Sequence, residues 1–231
     1  MTTTFVSEIY ASIQGEGPFT GERQIFTRLA GCPLRCNYCD TPESLTVSGH
    51  SRMSVEEVFL EIKRVSVKTG IKTVSMTGGE PLTHIVFLKE LLPLLKEQGF
   101  KIYLETAGIH VDALEAIYSY VNVISMDMKL PSATHEDHWE QHEKFLKVAG
   151  EKAFVKVVLE KKSLLQEVEQ AVNIIKKTPV SPLLILQPAT AQFPDIEPAT
   201  AEFIARAFSI SKQYLEKVFV MTQQHKIWGM R

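Results

Sequence analysis

The sequence lacks most of what would mark a specialised protein class. Its 231 residues hold only three cysteines, 12 glycines and 11 prolines, too few for a disulfide scaffold, a collagen-like repeat or a low-complexity chain. Neither sign of charge predominates. Lys and Arg number 25 against 27 for Asp and Glu, a net charge of −2, without the basic surplus of a dedicated nucleic-acid binder. No apolar run approaches the roughly 18 residues of a membrane span, and Met1-Thr2-Thr3-Thr4 lacks the basic-then-apolar order of a signal peptide. Internal repeats and domain-dividing linkers are missing as well. What remains is a globular composition, 45% hydrophobic and 23% charged. The expectation is one domain over 1–231, cytoplasmic, with no membrane or nucleic-acid partner.

What is present is an alternation of short apolar runs with helical patterns. Strand-like runs occupy 24–30, 73–77, 101–105, 121–127, 153–159 and 182–187, each rich in Val, Ile, Leu, Phe or Tyr, as strands buried on both faces should be. Helical patterns occupy 55–67, 85–98, 111–120, 164–176 and 198–214, with Ser54 and Glu57 spaced as a capping box and Gly99 closing the second. Such alternation predicts a parallel sheet with helices outside it. Six strands are too few for the eight-stranded barrel of about 250 residues, so an open or partial barrel fits. A further strand over 5–13 precedes the set and one over 217–221 follows it. The loosest stretch is 131–150, where His135, His138 and His142 are spaced i, i+3, i+7 and predict a solvated helix face.

The cysteines are concentrated. Cys32, Cys36 and Cys39 form C-x3-C-x2-C directly after the first core strand. An odd number packed so closely cannot be a disulfide framework. Three thiolates on one loop can ligate three irons of a [4Fe–4S] cluster, leaving the fourth iron open to an outside ligand. Inert buried thiols, or a structural zinc completed by His50, are the alternatives.

With Tyr38 just before the third cysteine, the loop resembles the signature of the radical S-adenosylmethionine superfamily. The resemblance implies a partial (β/α)6 barrel, here with an extra N-terminal strand. It also implies a cluster whose open iron is chelated by the amino and carboxylate groups of S-adenosylmethionine, and reductive cleavage of that cofactor to a 5′-deoxyadenosyl radical. Thr77-Gly78-Gly79-Glu80-Pro81 ends the second core strand, where α/β active sites gather. Paired glycines allow a ligand to approach the backbone, and Glu80 can accept from an ammonium. The motif resembles the superfamily's GGEP element, which binds the methionine amino group.

Further motifs narrow the resemblance. Gln14-Gly15-Glu16-Gly17 precedes the cluster strand, Asp40-Thr41 follows the third cysteine, and Glu105-Thr106-Ala107-Gly108, Leu186-Gln187-Pro188 and His225-Lys226-Ile227-Trp228-Gly229 come later. Together they resemble the 7-carboxy-7-deazaguanine synthase family along the whole chain. That implies a carbon–nitrogen lyase of queuosine and 7-deazapurine biosynthesis, contracting 6-carboxy-5,6,7,8-tetrahydropterin to 7-carboxy-7-deazaguanine with loss of ammonia. It further implies regeneration of S-adenosylmethionine, a Mg2+ ion, a flavodoxin or ferredoxin as electron donor, and a homodimer. A glycyl-radical activase acting on a protein, or a non-enzymatic zinc module, is the competing function.

The resemblance implies the following roles by family position. For the pterin, Ile13, Gln14 and Gly15 offer a backbone edge, Glu16 a carboxylate and Arg28 a guanidinium for the substrate carboxylate. Thr77, His225 and Arg231, through its terminal carboxylate, complete that set, and Thr41 is the Mg2+ ligand. For S-adenosylmethionine, Tyr38 and Asp40 flank the adenine, Gly79 and Glu80 take the methionine end, and Ser125 and Gln187 sit near the ribose or carboxylate. Asp127 departs from the Ser-Pro-Lys of many family members, with Lys129 as the available replacement.

Overall fold

The computed structural model describes residues 2–191 and 196–230. Among these, nine strands form one sheet in the order β3-β1-β2-β4-β5-β6-β7-β8-β9. They are β1 (Thr3–Ile13), β2 (Arg23–Leu29), β3 (Ser51–Ser54), β4 (Thr73–Gly78), β5 (Lys101–Thr106), β6 (Val123–Asp127), β7 (Ala153–Leu159), β8 (Leu184–Pro188) and β9 (Val218–Val220). The helices are α1 (Val55–Thr69), α2 (Ile85–Glu97), α3 (Val111–Ile117), α4 (Pro131–Thr134), α5 (Trp139–Ala149), α6 (Leu165–Lys176), α7 (Ala201–Tyr214) and α8 (Gln224–Ile227). From β2 through β9 every pairing is parallel, while β1 runs antiparallel to both β2 and β3.

The six expected core strands are β2, β4, β5, β6, β7 and β8, neighbours in that order. They form the partial barrel, and the antiparallel β1 is its additional strand. Parallel strands need crossovers, and the amphipathic helices supply them. Helix α1 is set by the capping box: Ser54 Oγ accepts from Glu57 N–H while the Glu57 carboxylate takes Ser54 N–H at 2.7 Å. Its buried stripe of Val58, Ile62 and Val65 joins Leu88, Leu91 and Leu92 of α2 and Val74 and Met76 of β4 in the main core. Successive parallel strands bring their C-terminal ends to one side of the sheet, where the cysteine loop and the TGGEP motif both sit.

Two expectations are corrected. The stretch 131–150 is not loose: it carries α4 and the eleven-residue α5. The three histidines do not share a solvated helix face either. His135 lies outside α4 at φ 62, His138 precedes α5, and His142 is fully buried with Nε2 3.1 Å from the Ala107 carbonyl. Their spacing spans a helix break, so the periodicity had no helix to act on. No helix among the described residues is long and apolar enough to cross a membrane.

Candidate active site

The cysteine loop leaves β2 through Gly31 and is held by backbone bonds on both sides. Gly31 N–H donates to Ser44 O at 2.8 Å, Cys32 N–H to Leu45 O at 3.2 Å, and Asn37 N–H to Ala133 O at 2.9 Å. The Asn37 side chain adds bonds to Glu160 at 2.9 Å and Ser132 O at 3.1 Å. All three cysteines are free and half-buried on the wall of one cavity. Burial pushes each thiol up, Cys32 to about 11; metal binding would release those protons.

The paired glycines answer to the chain itself. A Cβ on Gly78 would lie 2.1 Å from Leu29 O, and one on Gly79 would lie 2.1 Å from Gly31 O. Their small size therefore lets the end of β4 press against the root of the cysteine loop, with Glu80 N–H donating to Gly31 O at 2.9 Å. Both glycines also line the cavity, so the missing side chains serve this internal packing as well as any approach from the cavity side. Glu80 is buried and braces the neighbouring strand end, accepting from Leu82 N–H at 3.0 Å, Thr106 Oγ1 at 2.8 Å and Ala107 N–H at 2.7 Å. A carboxylate has about four acceptor sites, so Oε2 keeps one for a ligand on the cavity side.

A row of buried charges crosses the floor. Lys156 Nζ donates to Glu16 and lies 3.3 Å from Asp127 Oδ2, which also pairs with Lys129 at 2.8 Å. The Lys129 ammonium in turn lies 5.1 Å from the Tyr38 ring centroid, a cation–π distance. Burial opposes ionisation of Glu16, but Lys156, Gln223 and His225 outweigh it and hold the carboxyl at about 2. Burial likewise opposes the Asp127 charge, and Lys129 and Lys156 overcome it, leaving its carboxyl below the usual range.

The far wall comes from opposite ends of the chain. Arg28 donates through Nε to Glu8 at 3.0 Å and through Nη2 to the Tyr10 hydroxyl at 3.1 Å, which fixes the guanidinium plane. Gly15 packs under His225: a Cβ there would meet His225 Nδ1 at 2.3 Å, and Gly15 O accepts from Gln224 N–H at 2.9 Å. Gln14 N–H and C=O are engaged by Glu22 and Gly21 at 2.8 Å each. The expected free backbone edge is thus largely used within the fold. The Gln14 side chain reaches Glu105 at 2.9 Å, and Thr77 donates to the same carboxylate at 2.6 Å.

Every site residue expected from the sequence lines this one cavity except Arg231, which lies outside the described residues. Further lining residues were missed, among them the polar Tyr10, Glu105, Lys156 and Gln223. Glu105 belonged to a motif already singled out, and Lys156 is the lone charge in the run AFVKVVL; both were signals.

The donor set fits the groups that the motifs imply. Three thiols on one loop face the cavity, and no fourth cysteine exists to close the set. Asp127 Oδ1 and Gln187 Oε1 are buried in the wall without a partner among the described residues, two acceptors that a nucleoside hydroxyl or an ammonium would satisfy. Thr41 stands at an N-cap yet makes no side-chain capping bond; its Oγ1 accepts from Ser44 Oγ at 3.2 Å, and a hydroxyl oxygen has a second lone pair that can serve a hard cation. Glu16, Asp40 and His225 also bring ligand atoms within 4.8 Å of one another. That group is already neutralised, because Lys156 pairs with Glu16, Lys226 lies 3.6 Å from Asp40, and the Gln223 amide donates to both carboxylates.

Comparison with known proteins agrees with the geometry. The profile of the radical SAM superfamily matches residues 27–183. The 7-carboxy-7-deazaguanine synthase of Geobacter sulfurreducens is 32% identical, with 97% of this chain and 96% of that one covered. The synthase of Methanopyrus kandleri is 37% identical over 83% of each chain. In three dimensions the chain is similar to QueE from Escherichia coli, with a TM-score of 0.66 at 21% identity, covering 95% of this chain and 94% of that one.

Proposed function

Because the chain belongs to the radical S-adenosylmethionine superfamily and, within it, to the 7-carboxy-7-deazaguanine synthase family, we propose that it converts 6-carboxy-5,6,7,8-tetrahydropterin to 7-carboxy-7-deazaguanine with loss of ammonia. The observation that carries this reading is the sharing of one cavity by Cys32, Cys36 and Cys39 with Glu16 and Arg28. A three-thiolate site for a [4Fe–4S] cluster thereby faces a carboxylate and a guanidinium suited to a flat, carboxylated heterocycle. Neither competing function, the protein activase or the zinc module, is favoured by the relatives.

The cluster and S-adenosylmethionine, when bound, supply the hydrogen-abstracting radical; the protein supplies binding and orientation. Cys32, Cys36 and Cys39 hold the cluster. Tyr38 and Asp40 flank the adenine, while Gly79, Glu80, Ser125, Asp127, Lys129 and Gln187 receive the rest of the cofactor. On the substrate side, Arg28 clamps the carboxylate as a planar fork. Glu16, kept ionised, accepts from the guanidine-like edge of the pterin, with Ile13, Gln14, Gly15, Thr77 and His225 around it and Arg231 completing the set. Glu105, bonded to Gln14 and Thr77, joins that polar wall. Thr41 contributes the protein oxygen for Mg2+. The same reading includes a cytoplasmic homodimer that receives electrons from a flavodoxin or ferredoxin.

The test is anaerobic reconstitution with iron and sulfide, followed by incubation with S-adenosylmethionine, reductant and the pterin. Formation of the deazaguanine and ammonia is expected; a reconstituted protein that cleaves the cofactor but never transforms the pterin refutes the reading. In the same assay, chelating Mg2+ or making Thr41→Ala should lower turnover by roughly tenfold, the scale on which partners of a metal site act. Turnover indifferent to both removes the cation from the mechanism.

A further inference from the structure

Lys156 is the one charged residue of β7, a strand otherwise buried along its length. Its side chain is 12% exposed and stands between two carboxylates: its Nζ donates to Glu16 and lies 3.3 Å from Asp127 Oδ2, opposite which it is registered on the neighbouring strand β6. Asp127 has a second ammonium, Lys129, at 2.8 Å. Glu16 has no second cation bonded to it among the described residues; its other partner is the neutral Gln223 amide at 2.6 Å. The Glu16 N–H donates to the Gln14 side-chain oxygen at 3.0 Å, which fixes the backbone and leaves the carboxylate to be aimed by its own partners. A rigid strand position is the better anchor for such a side chain.

We propose that Lys156 is a positioning residue for the substrate, holding the Glu16 carboxylate in place for the pterin and setting its register against the cofactor side through Asp127. The proposal rests on the reading of Glu16 as a pterin acceptor. It carries an asymmetry that a merely structural lysine would not show. Although Lys156 touches both carboxylates, its loss leaves Asp127 paired and Glu16 without a bonded cation, so the damage should fall on the pterin and spare S-adenosylmethionine.

The experiment compares the parent with Lys156→Met, Lys156→Arg, Glu16→Gln and the Glu16→Gln/Lys156→Met double variant, each reconstituted anaerobically. KM is measured separately for pterin and S-adenosylmethionine, along with iron content and equilibrium binding of the pterin. Lys156→Met should raise the pterin KM and dissociation constant at least tenfold, leave the S-adenosylmethionine KM within about twofold, and retain iron, with Lys156→Arg recovering most of the loss. On the Glu16→Gln background, Lys156→Met should add little, because the charge it serves is gone. An unchanged pterin KM, equal losses for both ligands, or full additivity in the double variant would each overturn the proposal. If Lys156→Met does not fold, Lys156→Gln carries the same comparison. A parent that fails to transform the pterin overturns the functional reading itself; a parent that succeeds beside an indifferent Lys156→Met overturns this inference alone.

Discussion

Replacing Cys36 by alanine is expected to reduce cleavage of S-adenosylmethionine to the level of a protein-free blank. Thiolates are the ligands by which such clusters are held, and the sequence contains no spare cysteine to take over. The surrounding loop should survive, because its hold is exerted by other atoms: Asn37 N–H on Ala133 O at 2.9 Å and the Asn37 amide on Glu160 at 2.9 Å. Cys36 is itself only half-buried, so the melting temperature should move little. Iron and sulfide analysis, the visible absorption of the reconstituted protein and the cleavage assay read the outcome together. A Cys36→Ala protein with a full complement of iron and parental turnover would remove the cluster from this loop.

Arg28→Lys is expected to lower product formation at low pterin by roughly a hundredfold, the penalty for misplacing a reacting group by about 1 Å. Glu8 at 3.0 Å and Tyr10 at 3.1 Å each take one N–H and lock the plane of the guanidinium. A guanidinium has five N–H donors, so three remain for a carboxylate on the cavity side. Lysine keeps the charge but has three donors on a freely turning ammonium. Once it bonds Glu8 and Tyr10, it cannot present a fork. Substrate-independent cleavage of S-adenosylmethionine should continue at the parental rate, since the Arg28 guanidinium bonds Glu8 and Tyr10 rather than the cysteines or Glu80. Product formed as fast as by the parent would make Arg28 a strut between β1 and β2 and nothing more.

The local features of the fold were legible because their causes are local. The capping box at Ser54 and Glu57, the apolar runs of six core strands and the cysteine spacing all act within a few residues of themselves. What was not legible depends on distant partners. The short β3 exists because β1 offers it an edge, with Thr3 paired to Ser54, and four residues of SRMS carry no periodicity of their own. Helix α5 was hidden by reading three histidines as one face when a helix break separates them. The charge row was invisible for a similar reason: Glu16 and Lys156 are 140 residues apart, and nothing near either one announces the other. The packing of the TGGEP glycines against Leu29 and Gly31 was not legible either, since sequence records that a Cβ is missing and not what takes its space.

The junction of Gly15 with the turn around His225 has a consequence for the order in which this protein is made. Glu16 and Gln223 are partners separated by 207 residues, and synthesis proceeds from one to the other. The cysteine loop and the strand end that braces it leave the ribosome long before residues 223–225 exist. A growing chain therefore owns its iron-binding residues while one wall of its substrate chamber is still unwritten. The cysteines and the last wall of the substrate chamber are separated in time by translation itself, and any chain halted or clipped ahead of Gln223 keeps those cysteines while Glu16 loses its amide partner and Gly15 its cover.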